Sequence, residues 1–464
     1  MAGNYDFGLV GLGVMGRNFI LNVADHDFSA FGLDTDAEKV EALKQEGSGK
    51  KVSGTTDKLD FIQQLSTPRK IMLLVPAGGP VDSVIRDLRP HLDKGDLIID
   101  GGNSFFTDTD RREEDLKKDG IYFIGSGVSG GAKGARFGPS IMPGGQEAAY
   151  NLVKPIFEAV SAKVDGTPCV DYLGQRSAGN YVKMVHNGIE YGLMQLISEA
   201  YAIMKSGLEL NNSAMHTTFD QWNKGRLQSF LVEITADIFT KMDDLTDEHL
   251  VDMILDKAKQ KGTGKWTSQN AMDLGMPIPT VDAAVSMREL SAMKSMRVEA
   301  EKKYDMAPSR SYAPSVEEVE SALYFSFIVT YAQGMTQLAA ASEEYSYGLN
   351  METIAKIWRG GCIIRAGLLE DMRKAYEADP GLKSLLLDDD IADKVNSTVA
   401  AARKVLAYAV TTGTPMMGLA ASMSYFDAFR SGRLPLNLIQ AQRDHFGSHT
   451  YERTDREGIF HTEW

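Results

Sequence analysis

Cysteine and basic charge are both scarce in this chain of 464 residues. Cys169 and Cys362 are its only cysteines, which excludes a disulfide framework and any cysteine-rich metal site. The 49 Lys and Arg residues are outnumbered by 63 Asp and Glu residues, so the net charge is −14. Because nucleic acids are bound through a basic face, this balance argues against a nucleic-acid partner. An anionic small molecule would need cations concentrated locally.

Targeting and membrane segments are scarce as well. The chain opens with MAGNYDFGLVGLG, in which no basic segment precedes the first apolar run, so we expect no signal peptide and a cytoplasmic location. Residues 321–342 form the one uncharged run long enough to cross a bilayer. Its Ser, Thr, Gln, Gly and Tyr content favours a buried core helix, so no membrane partner is expected.

The chain divides into two regions of different character, followed by a tail. Residues 1–178 alternate short apolar strands with helical segments, which predicts a Rossmann-like, doubly wound parallel sheet. The candidate strands are residues 7–10, 29–33, 70–75, 97–100, 122–124 and 140–142. Residues 179–434 carry long periodic segments rich in Met, Ala, Leu and Glu and are predicted to be all-helical. Residues 435–464 form a polar tail with spaced aromatics, which we expect to dock. The fold class is therefore α/β plus all-α.

A dinucleotide-binding motif follows the first candidate strand. Residues 7–16 read FGLVGLGVMG, in which Gly11, Gly13 and Gly16 form a Gly-x-Gly-x-x-Gly turn ahead of the helical run RNFILNVA. One glycine permits the tight turn, one lets a pyrophosphate approach the backbone, and one lets helix and strand pack closely. Strand, turn and helix agree, so we predict a nucleotide site here.

The end of the second strand indicates which dinucleotide is bound. Asp34 lies about 20 residues after the glycine turn, where an acceptor can hydrogen-bond the adenosine ribose hydroxyls. The same carboxylate would repel a 2′-phosphate, and no arginine follows it directly. The sequence therefore predicts NAD rather than NADP. The alternative is that Asp34 caps a helix beginning near Thr35, and both roles can coexist.

Two later loops carry small residues after strands. Residues 100–104 read DGGNS and residues 125–132 read GSGVSGGA. In doubly wound sheets, ligands bind beyond the carboxyl ends of the strands, and glycine lets a backbone approach them closely. We therefore expect both loops to touch cofactor or substrate. The alternative is that either loop, considered by itself, is a simple turn without contact to a ligand.

One face of a predicted helix carries five polar side chains. Within residues 180–200, Lys183, His186, Asn187, Glu190 and Tyr191 recur at steps of three and four, so they project together. A lysine and a glutamate facing one cavity indicate acid/base chemistry. The alternative is a solvated stripe with a Glu–Lys pair, the commoner origin of a polar helical face. The mixture of His, Asn and Tyr is unusual for such a stripe, and the spacing alone leaves both interpretations open.

Six motifs occur in an order typical of one enzyme family. They are GLGVMG at 11–16, DGGNS at 100–104, GSGVSGG at 125–131, KMVHNGIEY at 183–191, KGTGKW at 261–266 and RDHFGSHTYE at 443–452. The chain resembles the decarboxylating 6-phosphogluconate dehydrogenases over essentially its full length. The shorter 3-hydroxyacid dehydrogenases share the nucleotide fold and a lysine helix, but they lack the long second half and the closing tail.

The resemblance implies a reaction and the residues that perform it. The reaction is oxidative decarboxylation of 6-phospho-D-gluconate to D-ribulose 5-phosphate and carbon dioxide, with reduction of NAD(P), in the pentose phosphate pathway. Lys183 would be the base and Glu190 the acid, with His186 and Asn187 beside them, and no metal is required. The implied substrate contacts are Asn103, Ser129, Gly130, Gly131, Lys183, His186, Asn187, Glu190, Tyr191, Lys261, Thr263, Arg288, Arg443 and His449. The implied cofactor contacts are Gly11, Leu12, Gly13, Val14, Met15, Gly16, Leu33, Asp34, Thr35, Val75, Pro76, Ala77 and Asn103.

The resemblance also implies a homodimer. Arg443 and His449 match tail residues that reach the active site of the other subunit, so the tail would be exchanged between subunits. This role would explain why a polar segment carries anchoring aromatics. Lys261 has an independent reason to bind an anion, because glycine-flanked backbone amides next to a cation form an anion-binding nest.

Two departures from the family bear on the cofactor. NADP, the commoner family cofactor, is used by members that carry Asn-Arg-Thr where this chain has Leu33, Asp34 and Thr35, and a lysine where it has Pro76. Both changes remove partners for a 2′-phosphate, and Asp34 adds repulsion. NAD therefore remains the expected cofactor.

Two other functions are weighed against this one. A non-decarboxylating 3-hydroxyacid dehydrogenase with an unphosphorylated substrate would have no use for the cations Lys261, Arg288 and Arg443. A catalytically silent NAD-binding sensor would be expected to lack the acid/base pair, whereas Lys183 and Glu190 are both present.

Overall fold

The first part of the chain folds around one sheet. The structure is a computed structural model that describes residues 4–304 and 313–464. The strands of this sheet are β1 (Phe7–Val10), β2 (Ala30–Leu33), β3 (Val52–Thr55), β4 (Lys70–Leu73), β5 (Leu97–Asp100), β6 (Tyr122–Ser129) and β7 (Ser140–Gly145). Their order is β3-β2-β1-β4-β5-β6-β7, and all neighbours are parallel except β6 and β7, which are antiparallel. The strand order reverses between β1 and β4, which is the switch point where such sheets bind dinucleotides.

Helices cover both faces of the sheet. They are α1 (Val14–Asp25), α2 (Ala37–Glu46), α3 (Lys58–Gln64), α4 (Gly79–Leu88), α5 (Phe106–Lys117), α6 (Gly131–Phe137) and α7 (Glu147–Val160). In β5, Leu97 and Ile99 join a buried cluster with residues of α1 and α7, whereas Ile98 joins another with residues of α3 and α4. Successive side chains of a strand point to opposite faces of the sheet. When both faces are covered, every residue of the strand is buried, and its sequence is a continuous apolar run. The sequence predicted β1, β2, β4 and β5 on this basis.

Three strands differ from the prediction. β3 was not predicted, because it is an edge strand of sequence VSGT in which only Gly54 is buried. β6 continues to Ser129 and β7 to Gly145, so most of the predicted loop at 125–132 is strand. Glycine is rare in strands and masked this extension. A small additional hairpin, β8 (Lys163–Val164) with β9 (Thr167–Pro168), follows α7.

The second part of the chain is helical up to the tail, as predicted. Its helices are α8 (Ala178–Ala202), α9 (Asn212–Asn223), α10 (Phe230–Ile238), α11 (Leu250–Met253), α12 (Thr263–Asp273), α13 (Pro279–Ala292), α14 (Lys294–Glu301), α15 (Val316–Glu344), α16 (Met351–Trp358), α17 (Leu368–Ala378), α18 (Asp389–Thr412) and α19 (Met417–Phe429). Together with the parallel sheet, these helices confirm the predicted fold class of α/β plus all-α.

The long uncharged run at 321–342 lies within α15. This helix packs against α8 and α18, and most of its side chains are buried among them. The prediction of a buried core helix is therefore confirmed. Among the residues that the structure describes, no helix is both long enough and apolar enough to cross a bilayer.

Helix α8 lies directly on the backbone of β6 and β7. A methyl group on Gly179 of this helix would lie 2.2 Å from the carbonyl oxygen of Gly125 and 2.3 Å from that of Met142. One on Gly144 of β7 would lie 2.2 Å from the amide nitrogen of Gly179. The close approach therefore depends on glycine on both sides of the contact, and it fixes the height of α8 above the sheet.

The tail folds into α20 (Asn437–Gly447) and a hairpin of β10 (Tyr451–Glu452) with β11 (Ile459–Phe460). Its centre is the fully buried Asp444. The carboxylate accepts hydrogen bonds from the backbone amides of Thr450 and Thr462 at 2.9 and 3.1 Å. The ring nitrogens of His461 and Trp464 each lie 2.9 Å from it. The tail is therefore organised by one carboxylate rather than by an apolar core.

The contact between α8 and the sheet can be tested with Gly179→Ala. Helix propensity alone would favour alanine by about 1 kcal/mol. The clash with two carbonyl oxygens should instead lower the free energy of unfolding by about 2 kcal/mol. Urea denaturation followed by circular dichroism measures the change. Gly225→Ala is the matched control, since its added carbon meets nothing nearer than the Trp222 oxygen at 3.7 Å. Equal or higher stability of Gly179→Ala would contradict the role of this contact.

Candidate active site

The glycine turn after β1 leaves the start of α1 open. Gly11 has a φ of +97°, and a methyl on Gly16 would lie 1.8 Å from the Gly11 oxygen. Gly13 precedes α1 without any side-chain cap, and no atom lies within 4 Å of where its Cβ would be. The unpaired N–H groups of the first helical turn therefore face open space, and the chain here fits a pyrophosphate. Val14 is exposed beside the turn, whereas the side chain of Leu12 is buried in the core.

A cavity of about 320 Å³ lies beside this turn, within the range of small-molecule sites. It brings together five of the predicted cofactor contacts: Gly11, Leu33, Asp34, Thr35 and Val75. It is also lined by residues that the sequence did not single out, namely Val10, Thr56, Lys58, Pro80, Ser83, Val84, Asp87 and Leu88. Several of these follow β3 or begin α3 and α4. Thr56 and Lys58 were missed because the edge strand β3 was missed. Pro76, Ala77 and Asn103 lie exposed in the loops after β4 and β5.

Asp34 is held against the glycine turn. One carboxylate oxygen accepts a hydrogen bond from the amide of Leu12 at 2.7 Å, and the other from the amide of Asp36 at 3.0 Å. The ammonium of Lys39 lies 3.6 Å away. The alternative role of Asp34 as a helix cap falls to Asp36, which accepts from the Glu38 amide at the start of α2. Asp34 therefore remains at the edge of the cavity, where a ribose would bind.

Lys183 is buried between α8 and β6. Its side chain is 6% exposed, and a methyl on Gly127 would lie 2.3 Å from the Lys183 Cβ. In the described part of the chain, the amine has no hydrogen-bond partner. Burial lowers the pKa of Lys183 below its usual value, although Glu190 and Cys362 oppose the shift. The environment therefore favours the neutral amine, which is the form that can accept a proton.

His186 and Asn187 form a hydrogen-bonded group next to this amine. The Nδ1 atom of His186 lies 3.0 Å from Oδ1 of Asn187, and its Nε2 lies 3.2 Å from the hydroxyl of Ser129 on β6. Burial, and then the charge of Lys183, hold the pKa of His186 well below its usual value. In the neutral ring, Nδ1–H donates to Asn187 and Nε2 accepts from Ser129. The imidazole is thus locked in one orientation.

Glu190 lies one turn further along the same face. Its carboxylate is 3.9 Å from Nδ1 of His186. Burial raises the pKa of Glu190, while Lys183 and Arg288 oppose the rise. Lys183 and Glu190 are thus a base and an acid whose charged forms are both disfavoured by burial. The five polar side chains predicted on one face of α8 do lie together.

An anion site adjoins this face. The guanidinium of Arg288 lies 3.4 Å from the centre of the Tyr191 ring, and burial lowers its pKa. A methyl on Gly264 would lie 2.4 Å from the same ring, so α12 begins next to it. Gly262 precedes α12 with a φ of +97° and no side-chain cap, between the exposed Lys261 and the buried Thr263. Free amides and cations together suit a phosphate.

The segment after α16 forms a wall that the sequence did not predict. A methyl on Gly130 would lie 2.4 Å from the carbonyl oxygen of Gly361, and the amide of Ile363 lies 3.4 Å from the hydroxyl of Ser129. Gly131 faces open space. The only sequence signal in this segment is the glycine pair Gly360–Gly361. The segment is too far from α8 in the sequence for a periodic pattern to relate the two.

Two predicted site residues lie apart from the others within one chain. Arg443 is exposed on α20 and bonds only to Gln440 of the same helix, at 3.2 Å. The ring of His449 is exposed and contacts Phe446. In the described residues, neither forms a hydrogen bond, ion pair or ring contact with α8 or α12. A single chain therefore does not bring them to the site.

Comparisons with known proteins agree with this geometry. A family model described as the NAD binding domain of 6-phosphogluconate dehydrogenase matches residues 6–174, and one described as the 6-phosphogluconate dehydrogenase C-terminal domain matches residues 179–464. The chain is 53% identical over 461 residues to the NADP(+)-dependent, decarboxylating 6-phosphogluconate dehydrogenase of Bacillus subtilis, covering 98% of each protein. It is 50% identical over 461 residues to the decarboxylating enzyme of Escherichia coli, again covering 98% of each.

A solved structure extends the likeness to three dimensions. Plasmodium falciparum 6-phosphogluconate dehydrogenase, studied in its apo form and with NADP+ or 6-phosphogluconate, matches with a TM-score of 0.95 and 45% identity. The match covers 99% of this chain and 100% of that one. The resemblance in the sequence is thus confirmed: the chain belongs to the 6-phosphogluconate dehydrogenase family, with both the NAD-binding domain and the helical C-terminal domain of that family.

Proposed function

We propose that this chain oxidises and decarboxylates 6-phospho-D-gluconate to D-ribulose 5-phosphate and carbon dioxide. The observation that carries the proposal is the buried pair of Lys183 and Glu190 on α8, whose pKa values are shifted in opposite directions. The anion site at the start of α12 lies next to this pair and would hold the phosphate through Lys261, Thr263 and Arg288.

The first step is removal of the proton from the C3 hydroxyl. Lys183 takes this proton, because burial disfavours its charged form and no described residue hydrogen-bonds its amine. A nicotinamide dinucleotide whose pyrophosphate lies at the glycine turn would supply the hydride acceptor for C3. Ser129, His186 and Asn187 would orient the sugar acid, since their hydrogen bonds hold the imidazole in place.

The second step is loss of carbon dioxide from the 3-keto acid. Lys183, now protonated, stabilises the negative charge that develops on the enediolate oxygen. A β-keto acid carries its own electron sink, so the chain needs no further group for this step. Glu190 then delivers a proton to the former C2, which becomes C1 of ribulose 5-phosphate, and this step requires a protonated carboxyl, the form that burial favours.

The acid/base assignment can be tested with Lys183→Met and Glu190→Gln. Each should lower kcat by about 1,000-fold, the usual contribution of a general acid or base, while NAD binding measured by calorimetry stays unchanged. The rate of the unmodified chain should fall at low pH as Lys183 is protonated, at a pH below its usual pKa, and at high pH as Glu190 ionises above its own. Glu190→Gln should remove the alkaline limb.

Lys154→Met is the control for these variants, because Lys154 is exposed and pairs only with Glu158 on α7. It should leave the rate unchanged. Turnover by Lys183→Met at the normal rate, or equal turnover of unphosphorylated gluconate by the unmodified chain, would reject the proposed reaction.

We further propose that NAD is the preferred cofactor. Support comes from Asp34, whose carboxylate lines the cavity beside the glycine turn and would face the adenosine ribose. A 2′-phosphate would meet this negative charge at close range. The loop after β4 also offers Pro76 where a cation would be needed. The Bacillus subtilis relative is NADP(+)-dependent, so this preference would distinguish the two proteins.

The cofactor preference is tested by comparing kcat/KM for the two nicotinamides. NAD should give the higher value, and Leu33→Asn with Asp34→Arg should raise kcat/KM for NADP at least about tenfold, since a bidentate cation replaces a repelling anion. Asp36→Asn is the matched control, because it removes a nearby charge and keeps a helix cap. A higher kcat/KM for NADP in the unmodified chain would overturn the preference.

We also propose that two copies exchange their tails, so that Arg443 and His449 of one complete the phosphate site of the other. Support comes from the separation of these residues from α8 and α12 within one chain. The tail and the segment leading into it also expose large apolar side chains, including Leu438, Phe446 and Trp464. Exposed apolar side chains this closely spaced mark an interaction site.

Tail exchange can be tested by mixing two inactive variants. Chains with Lys183→Met and chains with Arg443→Ala should each turn over 6-phosphogluconate poorly. A mixed dimer would contain one site with both native residues and one site with neither. Co-expression should therefore produce mixed dimers, each with about half the activity of a native dimer. Arg433→Ala, at another exposed arginine of this region, is the control and should leave KM unchanged. Failure of the mixture to recover activity would contradict exchange.

Deletion of residues 435–464 provides a second measurement. It should raise KM for the sugar phosphate and shift the sedimentation profile towards the monomer. An unchanged KM would reject the assignment of the tail to the site.

A further inference from the structure

A buried arginine lies beneath the loops that follow β4 and β5. Arg112 belongs to α5, within a run of charged residues, yet its side chain is only 2% exposed. Its guanidinium donates to the carboxylates of Asp82 at 2.8 Å and Asp100 at 3.1 Å. It also donates to the hydroxyl of Ser104 at 3.2 Å and the carbonyl oxygen of Gly78 at 3.1 Å. The Arg112 side chain thus donates to four acceptors in two stretches of the chain.

The two loops meet at this guanidinium. Gly78 and Asp82 belong to the turn after β4 and the first turn of α4. Asp100 ends β5 and is fully buried. Its carboxylate also accepts from the Ser104 hydroxyl at 2.7 Å and from the Gly102 amide at 3.1 Å, so the loop of residues 101–104 wraps around it.

The same loop is tied to the helix that carries Lys183. The side-chain amide of Asn180 on α8 donates to the carbonyl oxygen of Gly102 at 3.3 Å. Its oxygen accepts from the hydroxyl of Thr109 on α5 at 2.9 Å. A continuous series of hydrogen bonds therefore runs from Gly78, through Arg112 and the loop after β5, to the start of α8.

We propose that Arg112 is a positioning residue that sets the loops after β4 and β5 against α8, and so places the nicotinamide half of the cofactor relative to Lys183. The placement of the two cofactor halves follows from the strand order. The adenosine cavity is lined by residues at the ends of β1 and β2 and by Val75 and α4, and a dinucleotide crossing the switch point reaches the loop after β5 with its other half. The inference rests on the proposed function only for the identity of the reaction.

The geometry requires a guanidinium rather than any cation. Four acceptors are reached because the donors of arginine are fixed in one plane, whereas a lysine ammonium is a single point charge on a flexible stem. Arg112→Lys would keep a positive charge opposite the buried Asp100 but could not reach Gly78 and Ser104 at the same time. This variant therefore separates bridging of the loops from neutralisation of the charge.

A second arginine, which is half-buried, provides the control. Arg69 precedes β4 and donates to the carboxylates of Asp96 at 2.7 Å and Asp93 at 2.8 Å. It is the same kind of pair in the same domain, but it lies at the amino ends of β4 and β5, away from the loops. Arg69→Lys should lower the thermal unfolding midpoint and leave ligand binding unchanged.

The test compares ADP-ribose, which lacks the nicotinamide, with NAD by isothermal titration calorimetry. For Arg112→Lys we expect the affinity for ADP-ribose to change less than about twofold and that for NAD to fall about tenfold, because only the nicotinamide half is misplaced. KM for 6-phosphogluconate should rise and kcat should fall. Equal loss of affinity for both ligands, or no loss for either, would overturn the proposal.

Asp82→Asn keeps the pairing of Arg112 with Asp100 and weakens the contacts of α4 with Arg112 and with the exposed Arg111, so it decides the question if Arg112→Lys fails to fold. A smaller loss of NAD affinity with unchanged ADP-ribose affinity supports the proposal, and unchanged affinity for both overturns it. The binding measurements need no turnover. A chain that does not oxidise 6-phosphogluconate would therefore refute the proposed reaction without affecting the test of Arg112.

Discussion

The contact between the backbone of α8 and the backbone of β6 and β7 governs the rest of the site. It exists because Gly179 and Gly144 carry no side chains where the two elements touch. The same closeness presses the stem of Lys183 against Gly127 and takes its amine out of water. Because burial disfavours the ammonium form, the backbone contact also lowers the pKa of the base. Packing and chemistry therefore share one cause.

The anion site is positively charged, whereas the chain as a whole is negatively charged. The net charge is −14, yet Lys261 and Arg288 lie at the start of α12 and beside Tyr191 of α8. An anion entering here meets cations and free amides in a partly dry environment, where each interaction is stronger than in water.

The sequence predicted the elements whose signals are local. The apolar strands β1, β2, β4 and β5 were recognised because they are buried on both faces, and the polar face of α8 because its side chains recur with the helical period. The position of Asp34 followed from its spacing to the glycine turn. Each of these features is contained within a few consecutive residues or one spacing rule.

Features that depend on distant neighbours were not predicted. Nothing in the charged run of α5 indicates that Arg112 is buried, since its four acceptors come from two other stretches of the chain, residues 78–82 and 100–104. The wall at Gly361 and Ile363 reaches Ser129 only through folding. The length of β6 was hidden by glycines that serve the contact with α8 rather than the strand itself. The burial of Arg112, the position of the wall and the length of β6 all depend on tertiary contacts, which produce no periodic pattern in the sequence.

The Asp444 centre of the tail bears on the thermodynamics of the proposed tail exchange. Burial alone would raise the pKa of this carboxyl, but hydrogen bonds from His461, Trp464, Thr462 and Thr450 hold it at about 2. The stabilisation is present above the usual carboxyl range and is lost only as the pH falls through that value. The tail therefore keeps its shape without help from another surface. A preorganised segment loses little conformational entropy when it associates, so more of the contact energy of its exposed apolar side chains contributes to affinity.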